Sequence, residues 1–174
     1  MATALTDGYI YFVESESVGG DDWITDHAGD PDDLDLDLMT EGTEYCKLQI
    51  PERFSKSFVT GMVIVDSGGG NSYQERYERR SYAVLTEGIE TSRANADLVE
   101  QFFSIPRHTA ASSTTYKEYY LIIRFGSSNY VNFTDHDGNR KEYCRGAVIS
   151  GNIIWASMAP QRVFVKVNFK SIWN

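Results

Sequence analysis

The chain has 174 residues, of which 41% are apolar and 13% aromatic, and its formal net charge is −9. A chain of this length is usually one domain with a single core, and its 11 Tyr and 9 Phe favour strands over helices. No run of about 18 apolar residues is present, so no membrane-spanning helix is expected, and the first residues lack the pattern of a signal peptide.

Acidic residues are concentrated at the start of the chain. Residues 1–46 hold 13 carboxylates and no Lys or Arg, whereas the other 128 residues hold 12 carboxylates and all 16 bases. Because phosphate contact requires cations, this asymmetry argues against nucleic-acid binding by the first part. It suits a solvated acidic loop, an acidic wall, or contact with a basic surface on another subunit.

The first predicted strand is Tyr9–Val13, and a long acidic loop follows it. The residues from Glu14 to Thr43, here called the acidic arm, are rich in Gly and Asp. Leucines at 34, 36 and 38 alternate with aspartates as in a short strand, although Asp is a poor strand residue. Since Trp23 and these leucines offer apolar contacts, we expect the acidic arm to become ordered against a partner.

Three strands are predicted in the middle of the chain, at residues 44–50, 58–65 and 73–85. The apolar run Phe58–Val65 suggests burial on both faces, and the glycines after Ser67 mark a hairpin tip rather than a phosphate-binding loop. The third strand carries the cluster of Arg76, Arg79 and Arg80. This cluster is either a solvated face or a salt-bridge partner for an acidic arm.

One helix is predicted at about 92–105. Thr91 or Ser92 would supply the N-cap, and Ala94, Leu98 and Phe102 recur at helical spacing, with Val99 and Phe103 beside them. Pro106 ends the pattern. A helix with this apolar face is expected to plug the open side of a sheet.

The rest of the chain is predicted as strands, at 116–125, 130–134, 142–149, 153–156 and 162–173. Asp137-Gly138 indicates a hairpin, and residues 150–152 indicate a turn. In the last strand Val163, Val165, Val167 and Phe169 share one face, opposite Lys166 and Lys170. We expect this strand to lie beside 116–125 and 130–134.

The predicted fold is therefore mainly β: a β-sandwich or partly closed barrel with one packed α-helix and a long acidic N-terminal loop, in a single domain, 1–174. Cys46 and Cys144 are expected to be packed, reduced thiols. The acidic runs at 26–37 and 135–139 fail the EF-hand pattern. Since no nucleophile stands beside an evident base, no catalytic, metal or cofactor residue is assigned, and an enzyme is not expected.

Three pieces resemble virion proteins of tailed phages and archaeal tailed viruses. They are the helix at 94–103 between strands, the hairpin that begins at Tyr130, and the closing strand from Val163 to Trp173. This arrangement of strands and helix is similar to that of tail-tube proteins, which share a β-sandwich with one flanking helix. The resemblance implies a structural subunit that assembles with itself into rings, commonly hexamers, which stack into a DNA-conducting channel.

The resemblance also implies partners and a location. The partners are other copies of the chain and other tail proteins, DNA passes without specific binding, and no membrane is involved. The protein would reside in the virion after assembly in the host cytoplasm. The residues expected at the subunit interface are Trp23, Asp32, Asp33, Asp35, Asp37, Arg76, Arg79, Arg80, Lys166 and Lys170.

A binding module is the alternative. A β-sandwich that binds carbohydrate, with or without calcium, would also explain an acidic loop and exposed aromatic residues.

Overall fold

A computed structural model describes residues 5–14, 31–67, 71–86, 88–104, 119–127, 129–134, 138–155 and 162–171, with the backbone alone at 33, 59–67, 71–86 and 147–149. The fold is mainly β, as predicted. Its elements, in chain order, are β1 Tyr9–Glu14, 3₁₀ turns at Pro31–Asp33 and Leu36–Leu38, β2 Tyr45–Gln49, β3 Phe54–Ser67, β4 Asn71–Thr86, β5 Ile89–Ser92, α1 Arg93–Ser104, β6 Tyr119–Gly126, β7 Asn129–Tyr130, β8 Phe133–Thr134, β9 Arg140–Lys141, β10 Tyr143–Trp155 and β11 Arg162–Ser171.

One antiparallel sheet dominates the described residues. Its strand order is β2-β1-β6-β10-β11-β4-β3, with β5 paired to β11 and β7 paired to β6. The sheet curls into a half barrel, so the partly closed barrel is the predicted alternative that the structure shows. A second, two-stranded sheet, β8–β9, forms the predicted hairpin at Gly138, whose φ of 88° is the left-handed conformation that glycine adopts readily.

The closing strand has the predicted alternation. Val163, Val165, Val167 and Phe169 are buried, and Lys166 and Lys170 are exposed. Its neighbours differ from the prediction. β11 pairs with β10 on one side and with β5 and β4 on the other, while β6 is one strand further away.

The predicted turn at residues 150–152 is wrong. β10 continues through it as a single strand, with a register shift between Val148 and Ser150 in its pairing with β11. A β-bulge absorbs an extra residue without reversing the chain. The bulge is therefore at Ile149, and the Ser-Gly-Asn triplet after it pairs regularly with β11.

The barrel interior is closed by the helix. Its main apolar cluster joins Phe12, Leu121, Phe169 and both cysteines to the buried helix residues Ala96, Val99 and Phe102. Cys46 and Cys144 are buried and form no disulfide, as expected. Ser92 is the N-cap, because its Oγ accepts a hydrogen bond of 3.2 Å from Asn95 N.

The buried helix face is rotated from the prediction. Ala94 is exposed and Leu98 is half-buried, so the buried stripe consists of Ala96, Val99 and Phe102. Phe102 and Phe103 contact Tyr119 at ring-centroid distances of 5.0 and 5.3 Å. These ring contacts, which spacing along the helix does not reveal, decide which face turns inward.

A side chain bridges the gap where the barrel fails to close. Asn95 Nδ2 donates to the Lys47 carbonyl oxygen of β2 at 3.2 Å and to Thr91 Oγ1 of β5 at 2.8 Å. The first turn of α1 thus joins the two strands, between which the described residues form no strand pairing.

The β3–β4 hairpin projects from the sheet. β4 pairs with β11 only along Ala83–Leu85 among the described residues, whereas it pairs with β3 from Phe54 to Ser67. At about 3.3 Å per residue, the part of β3 from Phe58 to Ser67 extends about 30 Å beyond that attachment. The run Phe58–Val65 was predicted to be buried on both faces of its strand. This is wrong at Phe58, whose side chain is 68% exposed.

Candidate functional site

The described part of the acidic arm packs on its own sheet. Leu34, directly after the first 3₁₀ turn, and Leu36, in the second, are buried together with Leu5. They cover a row of tyrosines on the outer side of β1, β2, β6, β7 and β10, here called the tyrosine face: Tyr11, Tyr45, Tyr120, Tyr130 and Tyr143. Both sides of β1 and β6 are therefore buried, and in residues 31–39 the leucine contacts of the acidic arm are intramolecular.

An ion-pair cluster holds the acidic arm at the edge of the tyrosine face. Arg124 Nε donates to Asp7 Oδ1 at 2.7 Å, and its Nη1 donates to Asp32 Oδ1 at 2.9 Å. Arg124 also donates to the Tyr130 hydroxyl at 2.8 Å, and that hydroxyl donates to Asp32 Oδ1 at 2.5 Å. The guanidinium is 9% exposed and joins three chain segments.

Burial and charge shift the pKa values in this cluster. Desolvation raises the pKa of Tyr130, and its hydrogen bond to Asp32 raises it further. Burial of Arg124 lowers the pKa of its guanidinium, but the hydrogen bond to Asp7 and the nearby acids outweigh this, so the net shift is upward. Both groups keep the protonation state in which they donate hydrogen bonds.

Arg124 and Tyr130 were not assigned as site residues from the sequence. The sequence does indicate that Arg124 is buried, because it directly follows the apolar run Tyr119–Ile123. An arginine at such a position is rarely buried without a carboxylate partner.

The other predicted acidic residues have separate positions. Asp35 caps the second 3₁₀ turn, its Oδ1 accepting from Asp37 N at 3.0 Å, and Asp37 is exposed. Asp33 lies in the first turn and is described by its backbone alone, and Trp23 lies outside the described residues. Of these residues, Asp32 forms a described ion pair with an arginine, Arg124.

The predicted basic residues lie on two strands. Arg76, Arg79 and Arg80 are on β4, in the projecting hairpin, where the backbone alone is described. Lys166 and Lys170 are exposed on β11. No described ion pair joins either group to the acidic arm, and both remain predicted interface residues.

Several large apolar side chains are exposed. On the body they are Phe125, Ile154 and Trp155, which are 46%, 41% and 50% exposed, and Arg93 lies over the Trp155 ring at 5.3 Å. Leu38 in the acidic arm and Phe58 at the base of the hairpin are also exposed. Such side chains are common at protein interfaces.

A shallow polar cleft runs along the incompletely closed side of the barrel. It has a volume of about 660 Å³ and is lined by Tyr9, Lys47, Gln49, Glu90, Thr91, Ser92, Asn95 and Arg162. Within the described ranges no three His, Cys, Asp or Glu side chains are grouped as a metal site requires. None of the described helices is long and apolar enough to cross a bilayer.

Comparison with known proteins adds no relative. No protein-family model matches the chain, and no curated protein matches it. The function is therefore inferred from the residues and their geometry.

Proposed function

We propose that the protein is a structural virion subunit, a tail-tube or tail-associated protein that assembles with itself into rings around a DNA channel. The observation that carries the proposal is the β3–β4 hairpin, which projects about 30 Å from a curled sheet and whose described strands pair with nothing else along that length. A monomer gains little from such an extension, because an isolated two-stranded hairpin is marginally stable. A neighbouring subunit that packs on it would explain its length.

The charge of the chain supports a channel through which DNA passes. At a net charge of −9 the surface repels phosphates, so DNA would move past without binding. The partners in this proposal are other copies and other tail proteins, and the location is the virion, after assembly in the host cytoplasm.

Electron microscopy and light scattering of the purified protein test the proposal. We expect rings, or short stacks of rings, whose mass is a whole multiple of the chain's 19.7 kDa. A protein that stays monomeric at all attainable concentrations would contradict the proposal.

The contribution of the acidic arm is tested separately. Because Leu34, Leu36 and Asp32 pack within their own chain, deletion of the whole arm would damage the fold. Replacement of residues 15–30 by a Gly-Ser linker of equal length leaves these contacts in place and removes Trp23 and its neighbours. We expect weaker assembly with an unchanged melting temperature, and unchanged assembly would show that residues 15–30 are not part of the interface.

A carbohydrate-binding module is the second candidate, favoured by the polar cleft beside Tyr9. An aromatic ring next to amide and carboxylate groups is a common arrangement in ligand sites. Titration calorimetry with a glycan panel, with and without calcium, tests this candidate. Heat of binding that is lost in Tyr9→Ala would support it, and no heat with any glycan would end it.

A further inference from the structure

The two edges of the large sheet differ in whether another strand can add to them. At the β2 edge, the outward carbonyl of Tyr45 accepts from Gly42 N at 2.8 Å, and that of Lys47 accepts from Asn95 Nδ2 at 3.2 Å. Hydrogen bonds within the chain therefore occupy two outward carbonyls of β2, which hinders strand addition at this edge.

The β3 edge is open. Among the described strands β3 pairs with β4 alone, and we call its outer side from Phe58 to Val65 the free edge. The register irregularity between Thr60 and Met62 places the extra residues on β4, so the free edge itself is continuous. A long edge strand presents a row of backbone donors and acceptors that readily pair with another strand.

The sequence of the free edge lacks the usual protection against pairing. Residues 58–65 read Phe-Val-Thr-Gly-Met-Val-Ile-Val and contain no charged residue and no proline. Natural proteins normally block exposed edges with such residues. The charges of the hairpin lie instead on the inner strand, where residues 75–80 include Glu75, Arg76, Glu78, Arg79 and Arg80.

We propose that the free edge pairs antiparallel with the free edge of a second copy, around a two-fold axis. An uncharged strand opposes itself without like-charge repulsion, and a two-fold contact uses the same surface on both copies. A head-to-tail sheet from β3 of one copy to β2 of the next is disfavoured, because two outward carbonyls of β2 are already hydrogen-bonded. This inference deepens the proposed function and rests on it: the contact joins copies in pairs, and a second contact closes a ring.

A cysteine scan tests the pairing directly. A two-fold axis places one residue of β3 opposite its own counterpart, within the short distance that a disulfide requires. Thr60, Met62, Val63 and Ile64 are changed singly to Cys, and each variant is oxidised; the native thiols are buried and form no disulfide. We expect one position to crosslink at least about tenfold more than Ser127→Cys, an exposed control on the body. Uniform crosslinking, or none, would overturn the proposal.

A charge placed on the free edge gives a second test, which does not depend on crosslinking. Met62→Lys should raise the dissociation constant of the pair at least about tenfold in sedimentation velocity, because edge lysines block strand addition. Ser127→Lys adds the same charge away from the edge and should leave the dissociation constant unchanged. Equal weakening in both variants would contradict the pairing.

The outcomes separate this inference from the proposed function. Crosslinked pairs without rings would support the pairing and reject the ring. Rings that form unchanged in Met62→Lys would support the proposed function and reject the pairing. If Met62→Lys fails to fold, the cysteine scan still decides.

Discussion

Arg124 ties together segments that are far apart in the chain. Its guanidinium contacts Asp7 before β1, Asp32 in the acidic arm and Tyr130 on β7. The two carboxylates are about half exposed, at 53% and 43%, so solvent weakens their attraction to the guanidinium. The guanidinium is almost fully buried, and burial makes the loss of its partners costly.

Arg124→Met is therefore expected to destabilise the fold. We expect the free energy of unfolding in urea to fall by about 1.5–3 kcal/mol, the usual range for hydrogen bonds to charged groups. Hydrogen exchange at residues 31–39 should also accelerate, because Asp32 loses a partner.

Arg162→Met is the control. Arg162 pairs with Glu90 at 3.1 Å, but its side chain is 70% exposed, so its removal should cost about 0–1 kcal/mol. Equal losses in the two variants would show that the Arg124 cluster contributes no more than an exposed ion pair.

Because of Tyr45, the stability of the fold depends on pH in the alkaline range. Desolvation, with Glu41, Tyr11 and Asp37 nearby, raises its pKa from 10.0 to about 12. A raised tyrosine pKa means that the folded state favours the neutral phenol. The contribution of Tyr45 to the free energy of unfolding is therefore complete below pH 10 and is lost as the pH rises toward 12.

Tyr45→Phe is expected to reduce that loss. Urea unfolding between pH 10 and 12 should show a smaller decline in stability for the variant than for the parent protein. At about pH 8, where tyrosine is neutral in both states, the variant should differ only by its lost hydroxyl. Parallel declines in the two proteins would contradict the prediction.

At the scale of elements, the contact between β10 and β11 depends on a close approach. A Cβ added at Gly146 would overlap the Lys170 carbonyl oxygen and lie 2.7 Å from both Phe169 Cζ and Ser171 Cα. Gly146→Ala should therefore lower the free energy of unfolding by about 1–3 kcal/mol or more, as overpacking does.

The matched control lies on the same strand. At Gly151 the nearest atom to an added Cβ is the Lys166 carbonyl oxygen, at 3.9 Å, an ordinary contact distance. Gly151→Ala is expected to be near neutral in thermal unfolding. A larger loss at Gly151 than at Gly146 would contradict this account of the packing.

At the scale of the whole molecule, acidic and basic residues are separated along the chain. Lys166 and Lys170 lie on the exposed side of β11, and no described carboxylate forms an ion pair with them. If they meet acidic residues of a neighbouring subunit, as the proposed function requires, charge reversal should act on assembly rather than on folding.

The double variant Lys166→Glu and Lys170→Glu is expected to weaken assembly at least about tenfold in light scattering, with little change in melting temperature, because opposed acids repel across an interface. Arg140→Glu with Lys141→Glu, on β9, changes the charge equally elsewhere. Equal loss of folding and assembly in the β11 variant would leave Lys166 and Lys170 without an interface role.

Local patterns predicted the individual elements well. The alternation in β11, the Ser92 cap and the strand at residues 9–13 needed only period and propensity, and all three are confirmed. The turn at 150–152 and the helix face through Ala94 were wrong, because a bulge and a set of ring contacts depend on neighbours distant in sequence.

By itself, the sequence determined the β-rich class, the single described helix, the faces of β11 and the separation of charge, since these follow from residue type and short-range order. Only the tertiary structure decided that Asp32 meets Arg124, that Leu34 and Leu36 cover their own tyrosine face, and that outward carbonyls of β2 are hydrogen-bonded whereas the outer side of β3 pairs with no described strand. The reason is physical. Burial and hydrogen-bond satisfaction are properties of pairs of segments, and the curl of the sheet determines which segments are in contact.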